Sequence, residues 1–399
     1  MSGRHRRTIL FVHAADEMYG SDAILLSIIR ALHGTEFEPF VVLPNDVTSE
    51  LPETSRLSGR LRAMKVPVAT LPLAVLRRKY FTPTGAYTMW RRLDSSAQAV
   101  LDLVCDRDVA LVHSHTAAVF TGAECARRLG VPHVWHVSEI VERPRFVRRL
   151  IARMVARRSD WVAAVSKAVR GHLLATQPAA ADRVDVIYNG IEIAPYTRGN
   201  RDRVRRELGV GDRPVVGMVG RLGTWKGQEL LVEAASHVIA RRPDALFLFV
   251  GGVYDGQTYH FDELRDMAAK HGVSNHVIVQ GYREDIPDVL AAMDVFVQPS
   301  LRPDPFPTTV LEAMASAKPV VATEHGGPCE MIVHGETGLL TEPGDATALA
   351  DAIVQLLEND VFRKRAGDAG RQRVRQEFSL QAFDRRYLEL YRHYANARR

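Results

Sequence analysis

Short apolar runs alternate with amphipathic stretches along most of the chain. Residues 8–13 (TILFVH) are typical of a buried strand, whereas residues 23–32 place apolar side chains at helical spacing. The same alternation predicts further strands at 40–43, 66–71, 109–112, 131–136, 161–165, 184–187, 215–219, 245–250, 277–279, 295–297 and 320–322, and further helices at 117–129, 346–357, 361–376 and 380–395. Strands that alternate with helices favour a doubly wound α/β fold with parallel sheets.

The chain length and one central turn predict two domains. A length of 399 residues is ample for two. The strand at 184–187 runs into Tyr188-Asn189-Gly190, which is a turn signal, and a polar, charged segment follows at 194–213. We therefore predict one domain over residues 1–190 and a second over residues 191–377.

The composition, 46% apolar and 25% charged, is ordinary for a soluble globular protein. The three cysteines share no metal-site spacing, which favours a reducing compartment such as the cytoplasm. The basic start precedes an apolar run too short for a signal peptide, and no stretch approaches a membrane span. Residues 1–190 hold 26 Lys and Arg against 18 Asp and Glu, a net charge of +8, whereas the whole chain carries +5, so the basic excess belongs to the N-terminal half.

A basic amphipathic helix is predicted at residues 141–158 (VERPRFVRRLIARMVARR). Its apolar stripe consists of Val147, Leu150, Ile151, Met154 and Val155, and its arginines lie mainly off that stripe. Two interpretations fit: a surface helix that covers a core edge, or a helix attracted to anionic lipid headgroups. Nucleic acid would also attract this charge, but the sequence has no recognition module, so we predict no nucleic-acid partner.

Four histidines stand at the ends of two predicted strands: His113, His115, His133 and His136. Neither Cys nor carboxylate completes a metal-ligand set at the usual spacing, so we predict no metal site. Histidines at strand ends either line a cleft or are hydrogen-bonded within the core, and we favour the first interpretation for His115.

The first strand leads through the loop Tyr19-Gly20-Ser21 into the first helix. The dinucleotide fingerprint G-x-G-x-x-G is absent. Gly20 would let the backbone approach a phosphate at the helix start, and a plain turn glycine is an equally good interpretation.

The strand at 215–219 runs into the loop 220–227 (GRLGTWKG), which differs from the phosphate-binding P-loop. Arg221 and Lys226 leave the strand on this loop, where two cations can hold a diphosphate. Cations oppose the dipole at a helix start unless an anion is bound there, so this interpretation is preferred to two surface cations.

The stretch 298–323 (QPSLRPDPFPTTVLEAMASAKPVVAT) contains the strongest functional signal. Three prolines, Pro303, Pro305 and Pro307, stiffen a loop between a strand and a helix. Thr309 and Glu312 have the spacing of a capping box, which predicts a helix start at an edge suited to an anionic ligand. Asp304 as a turn residue and Glu312 as a capping acid would explain each carboxylate singly, but not the pair followed by GGPCE at 326–330.

Taken together, Arg221, Lys226, Asp304, Glu312 and GGPCE resemble the motifs of the retaining glycosyltransferases of family 4, which have the GT-B fold. Two positions depart from the family's acidic motif, with Asp304 in place of Glu and Pro307 in place of Gly. The shorter carboxylate and the missing N–H fit either an altered sugar specificity or a weakened site.

The resemblance implies two Rossmann-like domains facing a central cleft, with the last helix, from about 378 to 399, packed back on the first domain. It implies metal-independent transfer, with retention and without a cofactor, of a sugar from a nucleotide-diphosphate sugar to an acceptor hydroxyl in cell-envelope glycolipid, polysaccharide or glycoconjugate synthesis. The implied contacts are diphosphate to Arg221, Lys226, Gly20 and the N–H groups of Thr308 and Thr309, ribose to Glu312, sugar to Asp304 and Phe306, the reacting carbon near His115, and acceptor near Tyr19 and His136.

Three other functions also fit the sequence. An epimerase of GT-B fold would use the donor site without an acceptor, a partner subunit would retain the fold without the chemistry, and a membrane or nucleic-acid binding module would use the basic half.

Overall fold

The computed structural model describes residues 6–46, 52–77, 82–253 and 257–396, except for the side chains of residues 83 and 86. The chain forms two compact units. Unit 1 comprises Met1–Asn189 and Gln381–Arg399, and unit 2 comprises Gly190–Leu380.

Unit 1 is built on a parallel sheet of order β3-β2-β1-β4-β5-β6-β7. The strands are β1 Arg7–His13, β2 Phe37–Pro44, β3 Val68–Leu71, β4 Val109–His115, β5 His133–Val137, β6 Trp161–Ala164 and β7 Val184–Val186. Strands β1 and β4 are almost wholly buried because helices cover both faces of such a sheet. The helices are α1 Gly20–Ala31, α2 Leu57–Ala63, α3 Pro83–Leu103, α4 Thr121–Leu129, α5 Arg145–Arg158 and α6 Lys167–Leu174.

Unit 2 is built on a second parallel sheet, of order β10-β9-β8-β11-β12-β13. Its strands are β8 Val215–Val219, β9 Leu246–Val250, β10 Val277–Gln280, β11 Val295–Gln298, β12 Val320–Thr323 and β13 Gly338–Thr341. Its helices are α7 Arg201–Leu208, α8 Gln228–Arg241, α9 Tyr259–Lys270, α10 Ile286–Ala292, α11 Thr308–Ala315, α12 Pro328–Met331, α13 Ala346–Glu358 and α14 Asp360–Glu377. The prediction of doubly wound parallel sheets is confirmed.

The last helix, α15 (Leu380–Asn396), joins unit 1 from Gln381 onward. Its apolar face includes Phe383, Tyr387 and Tyr391, all of which are buried. The hydroxyl of Tyr391 lies 2.8 Å from His113 Nδ1 at the end of β4. The helix therefore contributes both apolar and polar contacts to the core of unit 1.

Two helices begin four residues later than predicted. Helix α4 begins at Thr121 rather than Ala117, because the backbone of 117–120 pairs with 74–76: Leu76 N–H donates to Ala118 O at 2.8 Å and Phe120 N–H to Ala74 O at 3.1 Å. Helix α5 begins at Arg145 rather than Val141, because the backbone of Pro144 directly before it is extended, with φ −69° and ψ 148°.

The predicted apolar stripe of α5 was also partly wrong. Val147 and Val155 are buried, whereas Leu150 is 44% exposed and lies on the solvent side with Phe146, which is 58% exposed. Arg149 and Arg153 share this exposed side. The helix therefore presents apolar and cationic side chains together to solvent. Among the described residues, no helix combines the length and the apolar character needed to cross a membrane.

Candidate active site

The loop 220–227 of unit 2 is fixed against the segment that follows β11. Gly227 has φ +83°, and a Cβ atom there would lie 1.9 Å from the carbonyl oxygen of Pro299. Leu301 N–H donates to the carbonyl oxygen of Trp225 at 2.8 Å. Because only glycine combines that φ with so close an approach, this residue type sets the position of Lys226 beside it.

Lys226 and Asp304 form a largely buried ion pair. Lys226 Nζ donates to Asp304 Oδ2 at 2.6 Å, and their side chains are 20% and 6% exposed. The ammonium also lies 4.2 Å from the centroid of the Trp225 ring, which adds a cation–π contact. The sequence placed both residues at the site but assigned them to different parts of a ligand, so their pairing is a new finding.

The proline-rich loop owes its shape to the two glycines of GGPCE. Gly327 N–H donates to Asp304 O at 2.7 Å. A Cβ atom at Gly326, where φ is +68°, would lie 2.4 Å from Asp304 O, and one at Gly327 would lie 2.5 Å from Pro305 O. The motif therefore lets a second backbone segment pack directly against the backbone of Asp304.

Polar side chains at the ends of β11 and β12 are hydrogen-bonded to Ser300, shortly before this loop, and sequence reasoning missed them. Gln298 Nε2 donates to Ser300 Oγ at 2.9 Å, and Thr323 Oγ1 donates to Ser300 O at 2.8 Å. His325 Nε2–H donates to the same carbonyl at 2.6 Å. The available signal was the run of polar residues directly after two apolar strands.

Helix α11 does not begin with the predicted capping box. Pro307 is the N-cap residue, it has no side-chain cap, and the helix starts at Thr308. The hydroxyl of Thr309 lies 3.4 Å from Gln298 Oε1, so it faces β11 rather than the helix terminus. The first N–H groups of a helix have no intrahelical partner, so the start of α11 remains a potential anion site.

Glu312 lies one turn into α11 and is hydrogen-bonded to the side chains of Tyr196 and Thr308. Burial raises the pKa of Glu312 to about 7, although both hydrogen bonds act in the opposite direction. The carboxyl group therefore titrates near neutral pH. Tyr196 was not predicted as a site residue because it lies far upstream in the sequence.

The remaining predicted residues of unit 2 differ in exposure. Arg221 is half-buried on the loop after β8, and its carbonyl oxygen accepts a hydrogen bond from Gln228 Nε2 at 3.1 Å. Phe306 is 5% exposed, with its ring centroid 5.7 Å from that of Phe378. The ring of Phe306 thus anchors the loop in the core.

In unit 1 the predicted residues lie at the carboxyl edge of the sheet. Tyr19 is the N-cap residue of α1 and Gly20 is its first residue. His115 is fully buried, with Nε2 3.0 Å from Ser21 O and Nδ1 3.4 Å from His113 Nε2. The role of His115 beside a reacting carbon stays a prediction, because both ring nitrogens face protein atoms here.

His136 is buried and stacks on His115 with centroids 4.1 Å apart. Its Nδ1 lies 2.6 Å from the hydroxyl of Tyr387, and its Nε2 has no hydrogen-bond partner among the described residues. Burial lowers the pKa of His136 to about 3. No three His, Cys, Asp or Glu side chains in the described part of the chain are grouped as a metal site.

Comparison with known proteins assigns both units to glycosyltransferase families. Residues 20–194 match glycosyltransferase family 4, and residues 200–373 match the glycosyl transferases group 1. The chain is 35% identical over 322 residues to the alpha-maltose-1-phosphate synthase of Mycolicibacterium smegmatis, covering 74% of this chain and 82% of that protein. It is 33% identical over 227 residues to the D-inositol 3-phosphate glycosyltransferase of Corynebacterium efficiens, which covers 55% of this chain and only 53% of the relative.

Among solved structures, Anabaena Alr3699/HepE in complex with UDP and glucose is similar with a TM-score of 0.81 and 25% identity, over 97% of this chain and 100% of that one. The same protein has also been solved in complex with UDP-glucose. The chain therefore belongs to glycosyltransferase family 4 and is a transferase with the GT-B fold.

Proposed function

We propose that this enzyme transfers a sugar from a nucleotide-diphosphate sugar to an acceptor hydroxyl, with retention of configuration and without a metal ion. The observation that carries the proposal is the placement of Lys226 against Asp304, which joins the cationic loop 220–227 to the acidic loop before α11. UDP and UDP-glucose complexes of the similar Anabaena protein support a nucleotide sugar as donor. Retention is inferred from the resemblance of the acidic motif, and we assign no covalent nucleophile.

The chemistry required of the protein is stabilisation of a leaving diphosphate. Negative charge on that group grows as the bond to the sugar breaks, so cations and N–H groups aimed at it lower the barrier. Arg221, Lys226 and the first N–H groups of α11, at Thr308 and Thr309, supply such donors. An ammonium has three N–H donors, so Lys226 can keep its bond to Asp304 while it also donates to a phosphate oxygen.

The carboxylates would hold the rest of the donor. Glu312 accepts hydrogen bonds from the ribose hydroxyls, and Asp304 accepts them from the sugar. The backbone at Gly20 lies at the start of α1, where it can meet a phosphate, and Tyr19 lies beside it on the acceptor side. Phe306 and His136 are both buried, so we assign them to the packing behind the site rather than to direct contact with substrate.

The acceptor is proposed to be anionic and to belong to cell-envelope glycoconjugate synthesis in the cytoplasm. Residues 1–190 carry the basic excess, with 26 Lys and Arg against 18 Asp and Glu. Two relatives are named after phosphate esters: alpha-maltose-1-phosphate synthase and D-inositol 3-phosphate glycosyltransferase. Cationic residues near the acceptor would favour such a substrate through electrostatic steering.

The donor is identified by thermal unfolding with a panel of UDP-, GDP-, ADP- and dTDP-sugars, each measured with a chelator and, separately, with added Mg²⁺. One nucleotide is expected to raise the melting temperature, because a ligand of the native state stabilises it by mass action. Arg221→Ala should abolish that shift. Arg241→Ala, which removes an exposed arginine paired with Asp351 in the same unit, should retain it.

No shift with any nucleotide would contradict the proposal of a nucleotide-sugar donor. A shift that requires a divalent ion would contradict the proposal of metal independence. Turnover of the donor sugar without an acceptor would instead favour the epimerase.

We further propose that α5 contacts an anionic membrane surface at the cytoplasmic face. Its exposed Phe146 and Leu150, flanked by Arg149 and Arg153, combine apolar area with positive charge. In flotation with anionic vesicles, the Phe146→Ser/Leu150→Ser protein should bind less than wild type. Val361→Ser, which removes a valine that is 79% exposed in unit 2, should bind as wild type does. Equal binding by all three proteins would overturn this proposal.

A further inference from the structure

A chain of buried hydrogen bonds runs from α15 to the start of α1 within unit 1. The Tyr391 hydroxyl lies 2.8 Å from His113 Nδ1, His113 Nε2 lies 3.4 Å from His115 Nδ1, and His115 Nε2 lies 3.0 Å from the carbonyl oxygen of Ser21. All three side chains are fully buried. This chain of hydrogen bonds thus connects a C-terminal tyrosine with the first turn of a helix at the other end of the sequence.

The direction of every bond in this chain follows from its last acceptor. A carbonyl oxygen only accepts, so His115 Nε2 carries the proton and its Nδ1 is the acceptor. His113 Nε2 must then donate, which leaves His113 Nδ1 to accept from the Tyr391 hydroxyl. Burial lowers the pKa of both imidazoles well below the usual value, which agrees with two neutral rings. The Tyr391 hydroxyl is therefore the donor that completes the chain.

A second attachment at the same place does not involve Tyr391. His13 Nδ1 lies 3.2 Å from His115 O, and His13 Nε2 lies 3.2 Å from Asp22 Oδ1 in the first turn of α1. Asp22 Oδ1 also accepts a hydrogen bond from Glu17 N–H at 3.4 Å, in the loop before the helix. The start of α1 is thus held to the end of β4 at two points, and the loss of one should loosen it without releasing it.

We propose that Tyr391 is a positioning residue for the reaction. Through His113 and His115 it holds the Ser21 carbonyl, and with it the segment 19–21, in the place where Tyr19 and Gly20 meet substrate. This inference rests on the proposed function for the contact of that segment with substrate. It assigns to α15 a role in substrate recognition beyond its packing on unit 1.

Helix α15 offers a matched control for the test. Tyr387 is also fully buried on α15, and its hydroxyl bonds His136 Nδ1 at 2.6 Å. That bond leads no further, because His136 Nε2 has no hydrogen-bond partner among the described residues. Tyr391→Phe and Tyr387→Phe therefore remove the same atom from the same helix, but only the first interrupts the chain to Ser21.

The two variants are compared by hydrogen exchange of the amides between residues 14 and 25 and by steady-state kinetics with varied acceptor. Both variants are expected to lower the melting temperature by roughly 2–4 °C, which is the structural cost of one buried hydrogen bond. Only Tyr391→Phe should speed exchange at the start of α1 and raise the KM for the acceptor by about 3- to 10-fold, with kcat changed less.

Exchange in Tyr391→Phe equal to wild type, or equal to Tyr387→Phe, would overturn the proposal. Faster exchange with an unchanged KM for the acceptor would overturn the role in substrate positioning and would place the error in the assignment of Tyr19 to the acceptor side. Because exchange is measured without turnover, it reports on the hydrogen-bond chain even if the proposed reaction is incorrect.

Discussion

The Lys226→Met protein is expected to fold and to lose about 10²–10³-fold in kcat/KM for the donor, the usual cost of removing one donor to a developing negative charge. Methionine keeps an unbranched stem beside Trp225 but removes the charge that faces Asp304 at 2.6 Å. The loss should appear mainly in kcat, because the leaving diphosphate is more negative in the transition state than in the ground state.

The same substitution also leaves the Asp304 carboxylate without its cation. That side chain is 6% exposed, so its charge is poorly hydrated, and the free energy of unfolding should fall by up to about 3 kcal/mol. The activity lost through misfolding must therefore be separated from the activity lost through chemistry.

The double variant Lys226→Met/Asp304→Asn makes this separation. The neutral amide removes the unpaired charge, so the double variant should recover much of the stability lost by Lys226→Met. Its activity should stay at or below that of the single variant, since no cation is restored and the Asp304 carboxylate proposed to bind the sugar is lost as well. Recovery of activity together with stability would show that Lys226 acts only through the ion pair and would contradict its assignment to the diphosphate.

Sequence spacing alone groups those candidate site residues that lie close together in the chain. Arg221 and Lys226 stand five residues apart on one loop, and Asp304 and Glu312 stand eight apart around one helix start, so local spacing was sufficient. The Lys226–Asp304 pair and the bond from Tyr196 to Glu312 join distant segments. Only the three-dimensional structure shows such pairs.

Helical periodicity does not by itself show which face of a helix is buried, as α5 illustrates. The spacing of its apolar residues predicted one stripe, but the buried positions are Val147, Ala152, Val155 and Ala156, while Leu150 is exposed. Periodicity gives the residues that share a face, and small residues such as alanine extend that face when the neighbouring sheet is close. Which side of the helix is buried depends on that neighbour.

In the same way, the backbone pairing of 117–120 with 74–76 delays the start of α4 although its sequence is compatible with a helix.

Donor affinity is expected to rise about tenfold between pH 6 and pH 8, because Glu312 must be ionised to accept hydrogen bonds from the ribose. Burial raises its pKa to about 7, so about one molecule in eleven has the carboxylate at pH 6 and about ten in eleven have it at pH 8. The intact nucleotide sugar is the ligand to use, since its esterified diphosphate keeps a constant charge over this range. Isothermal titration at several pH values measures the dissociation constant directly.

The ligand-free protein should show the opposite dependence in its stability. A carboxyl group whose pKa is higher in the folded state than in the unfolded state binds more protons when folded, so the free energy of unfolding falls as pH rises from about 4.5 to about 7. Glu312→Gln should remove this contribution to the slope. Thermal unfolding across that pH range, with wild type and Glu312→Gln side by side, checks the sign.

Two variants test the assignment of the binding pH dependence to Glu312. Glu312→Gln should bind the donor more weakly at pH 8 and with little change between pH 6 and pH 8, because an amide does not titrate there. Tyr196→Phe removes a hydrogen bond that lowers the pKa of Glu312, so the midpoint of the binding curve should move to higher pH and the change in affinity between pH 6 and pH 8 should exceed tenfold. A tenfold change that persists in Glu312→Gln would assign the titration to another group, and a midpoint unmoved in Tyr196→Phe would show that the hydroxyl does not stabilise the carboxylate.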